Sequence, residues 1–174
     1  MLKEELINTY DLQSHPEGGF FKETYRSKDV IETNSQTEKF PGGRNYSTTI
    51  YFLIEKNNFS AFHRIKSDEV WHFYEGDALE VVEIDLNGKL IKTQVGRGLK
   101  NGQTYQYMVK AGHWFGSRVL KGGESFDGLR TGFSFVGCTV APGFDFKDFE
   151  LAVRSELTDL FPEHAEIIEQ LTRN

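Results

Sequence analysis

Residues 62–76, Phe62-His63-Arg64-Ile65-Lys66-Ser67-Asp68-Glu69-Val70-Trp71-His72-Phe73-Tyr74-Glu75-Gly76, constrain the fold more than any other stretch. They set potential metal ligands among strand-forming residues within one short hairpin-like segment. On a regular strand side chains alternate between faces, so Glu69 and His72, three residues apart, point in opposite directions. The segment predicts a β-barrel with a pocket near His63 and Glu69, and leaves the chemistry of that pocket open.

The rest of the chain reads as further short strands, at residues 20–25, 47–54, 104–109, 114–120 and 131–140. Residues 78–86 and 89–95 flank Asn87-Gly88, which predicts a two-residue type I′ hairpin because both residues tolerate positive φ. Turn signals at Asn101-Gly102, Ala111-Gly112 and Lys121-Gly122-Gly123 separate the later strands. Many short strands with regular turns predict a mainly β sandwich or jelly roll, not βαβ units. A short helix is expected over residues 3–8, a turn at His15-Pro16-Glu17-Gly18-Gly19, and a polar surface loop over residues 27–39. After Pro142-Gly143 the pattern becomes helical. One helix is expected from Asp148, with Phe149, Leu151, Ala152, Val153, Leu157 and Leu160 at compatible spacing, ending at Phe161-Pro162. A second runs over residues 163–173 with Ile167, Ile168 and Leu171 on its apolar side. Both are expected to pack on the barrel or on a partner subunit.

A length of 174 residues suits one domain over the whole chain, with residues 148–173 as its helical C-terminal extension. The 15 phenylalanines suit a β-rich core or an aromatic-lined pocket. With a net charge of −6 and scattered basic residues, the chain carries no electrostatic footprint for nucleic acid. Cys138 is the single cysteine, which excludes an intrachain disulfide and a Cys-rich zinc site and fits a reducing compartment. The first residues lack the apolar stretch of a signal peptide, and no apolar run is long enough to span a membrane. A cytoplasmic chain with neither a nucleic-acid nor a membrane partner is expected. Asn45-Tyr46-Ser47 and Asn58-Phe59-Ser60 are then chance matches to a glycosylation signal.

The spacing of His63, Glu69 and Gly76 resembles the first motif of the cupin superfamily, with Ile65 standing where that motif has a second histidine. Four segments together resemble the Cupin_5 family, also called DUF985. They are His15-Pro16-Glu17-Gly18-Gly19-Phe20-Phe21-Lys22-Glu23-Thr24-Tyr25, Ser67-Asp68-Glu69-Val70-Trp71-His72-Phe73-Tyr74, Gly112-His113-Trp114-Phe115, and Val140-Ala141-Pro142-Gly143-Phe144-Asp145-Phe146-Lys147-Asp148-Phe149-Glu150. The first and last are much more specific than the general cupin pattern. The resemblance covers nearly the whole chain and implies a double-stranded β-helix of the jelly-roll group, often assembled as a homodimer. It implies no particular reaction. In the second cupin motif, matched over residues 102–115, both the proline and the histidine are replaced, the histidine by Phe115.

Two ligand positions are therefore kept, His63 and Glu69, and two are lost, to Ile65 and Phe115. A mononuclear site needs three or four converging donors, and His113, two residues before Phe115, is the substitute a regular strand would offer. No cofactor is favoured; a divalent metal on His63, Glu69 and His113 is the alternative. In a metal-free pocket His63 and Glu69 hydrogen-bond to each other or to a polar small molecule. They could also move a proton next to a carbonyl, with His63 as base and Glu69 as its orienting partner. Some cupins resembling sugar-nucleotide epimerases work in this way with a tyrosine acid, a part that Tyr51 or Tyr25 would play.

Trp71, Phe73, Trp114, Phe115 and Phe133 suit the walls of an apolar pocket, or simply the barrel core. Arg64, Arg44 and Arg118 offer bidentate contacts to a carboxylate or phosphate, against the plain alternative of surface arginines. His15, Glu17 and their glycines form a ligand-facing turn or shape an exchange between subunits. Cys138 is expected to be buried packing, and Lys121-Gly122-Gly123-Glu124-Ser125 lacks the P-loop pattern. The function expected is a cupin that binds a small polar or partly aromatic molecule in its barrel. The alternatives are a metal-independent sugar or carbonyl isomerase or epimerase and, behind it, a metal-dependent cupin enzyme.

Overall fold

The computed structural model describes residues 2–32, 39–120 and 131–173. A helix, α1 (Leu2–Tyr10), leads into β1 (Gln13–Ser14) and β2 (Phe20–Arg26), and a small ribbon pairs β3 (Val30–Ile31) with β4 (Arg44–Asn45). The barrel strands follow as β5 (Thr48–Glu55), β6 (Phe59–Arg64), β7 (Asp68–Gly76), β8 (Leu79–Ile84), β9 (Leu90–Val95), β10 (Gln106–Val109), β11 (Trp114–Val119) and β12 (Phe133–Ala141). A short β13 (Glu150–Leu151) and two helices, α2 (Arg154–Leu160) and α3 (Ala165–Gln170), close the chain.

Two antiparallel sheets face each other, one in the order β1-β2-β5-β12-β7-β10 and the other in the order β13-β6-β11-β8-β9. This is the jelly-roll sandwich that the strand pattern predicts. Alternation explains the layers. Along β5, Phe52 and Ile54 enter the core between the sheets, and Leu53 packs outward under α1 beside Leu12 and Phe135. Along β8, Leu79 and Val81 point inward, whereas Val82 and Ile84 point outward and are covered by Leu157, Ile167, Ile168 and Leu171. That double burial is why apolar residues stand on both faces of β8, and why two amphipathic helices end the chain.

Two local expectations are corrected. The connection between β8 and β9 is not a two-residue type I′ turn. The Gly88 amide donates to the Asp85 carbonyl at 2.9 Å, and Gly88 alone of the pair takes positive φ, at +81°. The Asp85 carboxylate accepts from the amides of Asn87 and Lys89 at 2.8 and 2.9 Å, which fixes a three-residue loop with glycine at the bulge. The helix expected from Asp148 begins only at Arg154. Asp148 ends a 3₁₀ turn, and Glu150 and Leu151 instead add an edge strand to β6, opposite Arg64 and His63. Leu151 and Val153, read as helix core, are 39% and 54% exposed. The turn expected at Lys121-Gly122-Gly123, and residues 33–38 of the expected surface loop, lie outside the described residues.

Candidate functional site

A cavity of about 340 Å³ opens at one end of the sandwich, between β2, β5, β12 and the start of β7 in one sheet and β6 in the other. The inward positions of β5 and β12, Ile50, Phe52, Cys138 and Val140, form its wall. His63 from β6 and Glu69 from β7 form its floor, both buried, with 2% and 8% of their surface exposed. The turn before β2 adds His15 and Glu17, and the loop after β12 covers the mouth with Phe144, Asp145 and Phe146.

The turn at residues 15–19 explains how Glu17 reaches the floor. The Gly18 amide donates to the His15 carbonyl at 3.0 Å, and the Ala61 amide on β6 donates to the Glu17 carbonyl at 2.9 Å. Gly18 has φ +114°, and a Cβ there would collide with the Phe59 carbonyl and the Arg173 guanidinium. Glycine is thus required both for the backbone angle and for the close approach to β6.

The hydrogen bonds fix which nitrogens face which oxygens. His63 Nδ1 lies 2.8 Å from the Ala61 carbonyl, to which it must donate, so in the neutral ring Nε2 carries the lone pair. That Nε2 is 3.3 Å from Glu17 Oε2. His15 Nδ1 accepts from the Glu17 amide at 3.3 Å and lies 3.5 Å from the same Oε2. Ser60 Oγ donates to Glu17 Oε1 at 2.8 Å. Oε2 therefore sits between two imidazole nitrogens that present lone pairs. Burial pushes the Glu17 carboxyl up and the His63 and His15 imidazoles down, each toward its neutral form.

Glu69 stands beside this group. Burial pushes its carboxyl up to about 7, opposed by the neighbouring His63. The Cys138 thiol hydrogen-bonds to Glu69, and burial, followed by that carboxylate, raises the thiol well above its usual range. Cys138 is thus buried, as expected, but it also lines the cavity.

Of the residues singled out in the sequence, His63 and Glu69 are brought together and Tyr51 is not. Tyr51 lies on the outer face of the six-stranded sheet against Tyr10 and Phe135, with ring centroids 4.7 and 5.3 Å away. Tyr25, 54% exposed, is also absent from the lining. Trp71 and Phe73 point inward but belong to the packed core, Trp71 edge-on to Phe52 and Phe115. Phe115 lies beneath the floor, its ring 4.1 Å from the His63 ring. Trp114 and Arg64 belong to the other side of β6 and β11. Trp114 packs with the C-terminal helices, and Arg64 stacks over it at 4.6 Å while gripping Glu150. Arg44 is bound to Asp148, and Arg118 to Glu80 and Gln170. His72 faces outward, as alternation requires, between Thr139 and Gln106.

The donors for a metal do not converge. Ile65 is core, Phe115 occupies the replaced histidine position, and the His113 imidazole is directed to Glu83 on β8. Phe115 pairs with His63 on one side and with Glu83 on the other, so it separates the two histidines. Among the described residues no three His, Cys, Asp or Glu side chains are arranged to hold a metal ion. The set His63, Glu69 and His113 is therefore not assembled here.

Glu17 is the residue whose part sequence reasoning understated. Its signal was the HPEGG turn, within the first of the family-specific segments. Four lining residues come from that segment and four from the last, so the two stretches that most mark the sequence also build the cavity. A family model described as Cupin superfamily (DUF985), Cupin_5, matches residues 4–152. The chain belongs to the Cupin_5 family. This Cupin_5 chain is 33% identical over 151 residues to the uncharacterized protein YML079W of Saccharomyces cerevisiae, covering 83% of this chain and 72% of that one. It is similar in structure to a hypothetical protein from Leishmania major, with a TM-score of 0.86 and 35% identity over 98% of both chains. Protein SO0799 from Shewanella oneidensis gives a TM-score of 0.83 at 35% identity, over 98% of this chain and 96% of that one. A mutant of the Bacillus subtilis oxalate decarboxylase OxdC superposes with a TM-score of 0.54 at 13% identity, over 92% of this chain and 37% of that one. That likeness shows that Cupin_5 shares the cupin fold and nothing about chemistry.

Proposed function

We propose that this protein binds a small, partly aromatic molecule in the cavity between its sheets. The observation that carries this reading is the division of the cavity into a mouth of Phe21, Phe144 and Phe146 and a buried polar floor of Glu17, His63 and Glu69. An apolar pocket with a few convergent polar groups is the usual form of a small-molecule site. The test is a saturation-transfer NMR screen of small aromatic alcohols, amines and acids against the native protein and Val140→Phe, whose larger side chain fills the cavity. Binding that the variant loses supports the reading. Binding unchanged in the variant, or no binding at all, contradicts it.

A second reading, metal-independent isomerisation or epimerisation of a sugar or carbonyl compound, is favoured by the approach of His63 Nε2 to Glu17 Oε2, at 3.3 Å, beside Glu69, whose carboxyl burial pushes up to about 7. His63 would take a proton from the carbon next to the carbonyl, with Glu69 as its orienting partner, and return it to the adjacent carbon while Glu17 exchanges a proton with the oxygen. The tyrosine acid has no counterpart in the lining, so Glu17 takes its place. Incubating a panel of aldoses, ketoses and aryl ketones in D₂O should show deuterium wash-in with the native protein and none with His63→Ala. Wash-in that survives His63→Ala rules out this chemistry. The homodimer and the cytoplasmic setting belong to the same proposal. They are supported by the exposed aromatic face around Tyr10 and Tyr74 and by the buried lone thiol, and sedimentation of the full chain tests the first.

A further inference from the structure

We propose that the ligand of this cavity is an organic cation, an amine or substituted ammonium on an aromatic or short apolar body, and not a carboxylate or phosphate; this rests on the small-molecule reading above. Three observations carry it, beginning with the state of the nearby cations. Arg26 is the arginine or lysine that lines the cavity among the described residues, and its guanidinium is already engaged. It donates to both carboxylate oxygens of Glu23 at 2.9 and 2.6 Å, to Asn45 Oδ1 at 2.9 Å and to the Phe144 carbonyl at 3.0 Å. It thus ties β2 to the loop at the mouth and is not left to receive an anion.

Second, the histidines add no net positive charge. His63 Nε2 lies 3.3 Å from Glu17 Oε2, and burial pushes the imidazole down and the carboxyl up, so a positive charge on His63 is disfavoured and, where formed, is met by that carboxylate. His15 presents an acceptor nitrogen to the Glu17 amide. Third, Glu69 is buried at the floor with 8% of its surface exposed, and among the described residues the Cys138 thiol is the one side chain hydrogen-bonded to it. A thiol is a weak donor, so a carboxylate with this environment lacks both a cation and a strong N–H or O–H partner.

Phe21, Phe144 and Phe146 line the same cavity. Aromatic walls leading to an unneutralised acid suit an ammonium group, which gains from both the ring quadrupoles and the charge. An anion entering the same space would meet Glu69 with no free cation to offset it, a like-charge juxtaposition in a partly desolvated site.

Benzylamine, benzyl alcohol and benzoate share a ring and differ in charge. Titrating each into the full-length protein at pH 8, followed by ¹H–¹⁵N NMR, should give benzylamine the tightest binding, about tenfold or more over benzoate, with benzyl alcohol between them. In Glu69→Gln the advantage of benzylamine over benzyl alcohol should vanish while benzyl alcohol still binds. Benzoate or benzyl alcohol binding as tightly as benzylamine overturns the inference and leaves the small-molecule reading standing, as does an unchanged ratio in Glu69→Gln. No binding by any of the three overturns both. Should Glu69→Gln fail to fold, the order of the three compounds on the native protein decides alone.

Discussion

Two buried glutamate–histidine pairs lie on either side of Phe115, and they differ in what surrounds them. On the β8 side Glu83 contacts His113 Nδ1 through one oxygen and accepts from Tyr107 Oη at 2.6 Å through the other. Burial and this hydrogen bond push the Tyr107 hydroxyl up to about 12, so it remains a donor. That group is closed, and none of its three members lines the cavity. On the β6 side Glu17 and His63 face open space, and the next carboxylate, Glu69, has little to bond with. The same residue types thus make a structural clasp where all capacity is used, and a candidate ligand site where some is left.

The largest effect that would sharpen this contrast is expected from Glu83→Ala, which leaves His113 and Tyr107 buried without their acceptor. It should cost about 3–5 kcal/mol in chemical denaturation. A loss below about 1 kcal/mol would show that the clasp does not hold the barrel. Glu69→Gln should act in the opposite direction. With its pKa near 7 in the folded chain against about 4.5 unfolded, native Glu69 holds its proton longer than the unfolded chain does. Stability therefore falls as pH rises from about 4.5 to 7, by about 3 kcal/mol from this group. The glutamine variant should be more stable than the native protein at pH 8 and nearly equal to it at pH 4, read by denaturant melts at both values. An equal difference at both pH values would deny the buried carboxylate.

A smaller effect is expected from Tyr107→Phe, about 1–2 kcal/mol, because one hydrogen bond to a buried carboxylate is lost while His113 remains. Its ligand binding should be unchanged, which the benzylamine titration checks. Smallest of all is Tyr51→Phe. Tyr51 packs outside the six-stranded sheet, so both stability, within about 0.5 kcal/mol, and any D₂O exchange activity should match the native protein. Loss of exchange in this variant would return the tyrosine acid to the site.

Alternation and motif spacing made much of the fold and two floor residues legible. His63 and Glu69 both point inward, from strands of the two facing sheets, and residues 20–25, 47–54 and 131–140 read as strands from their β-branched and aromatic content, within two residues of the bounds observed. The aromatic inventory was less informative, since composition names the rings and not the side of the sheet each takes. Trp114 and Phe115 are neighbours in sequence and so must face opposite ways, one to the C-terminal helices and one to the core. The pairing of Glu17 with His63 depends on a turn docking against β6 across a long stretch of chain, which no local pattern encodes. His113 does share the inner face with Phe115, but it lies on the β8 side and is directed to Glu83, with Phe115 between it and His63, a placement that spacing along one strand does not encode.

The central claim is that the pocket-side pair, and not the β8-side pair, meets ligand. Long-range ¹H–¹⁵N NMR of the five histidine rings during a benzylamine titration tests it most directly. The account predicts that the ring nitrogens of His15 and His63 shift with ligand and that those of His113 stay fixed behind Phe115. Movement of His113 with His15 and His63 unmoved would contradict it.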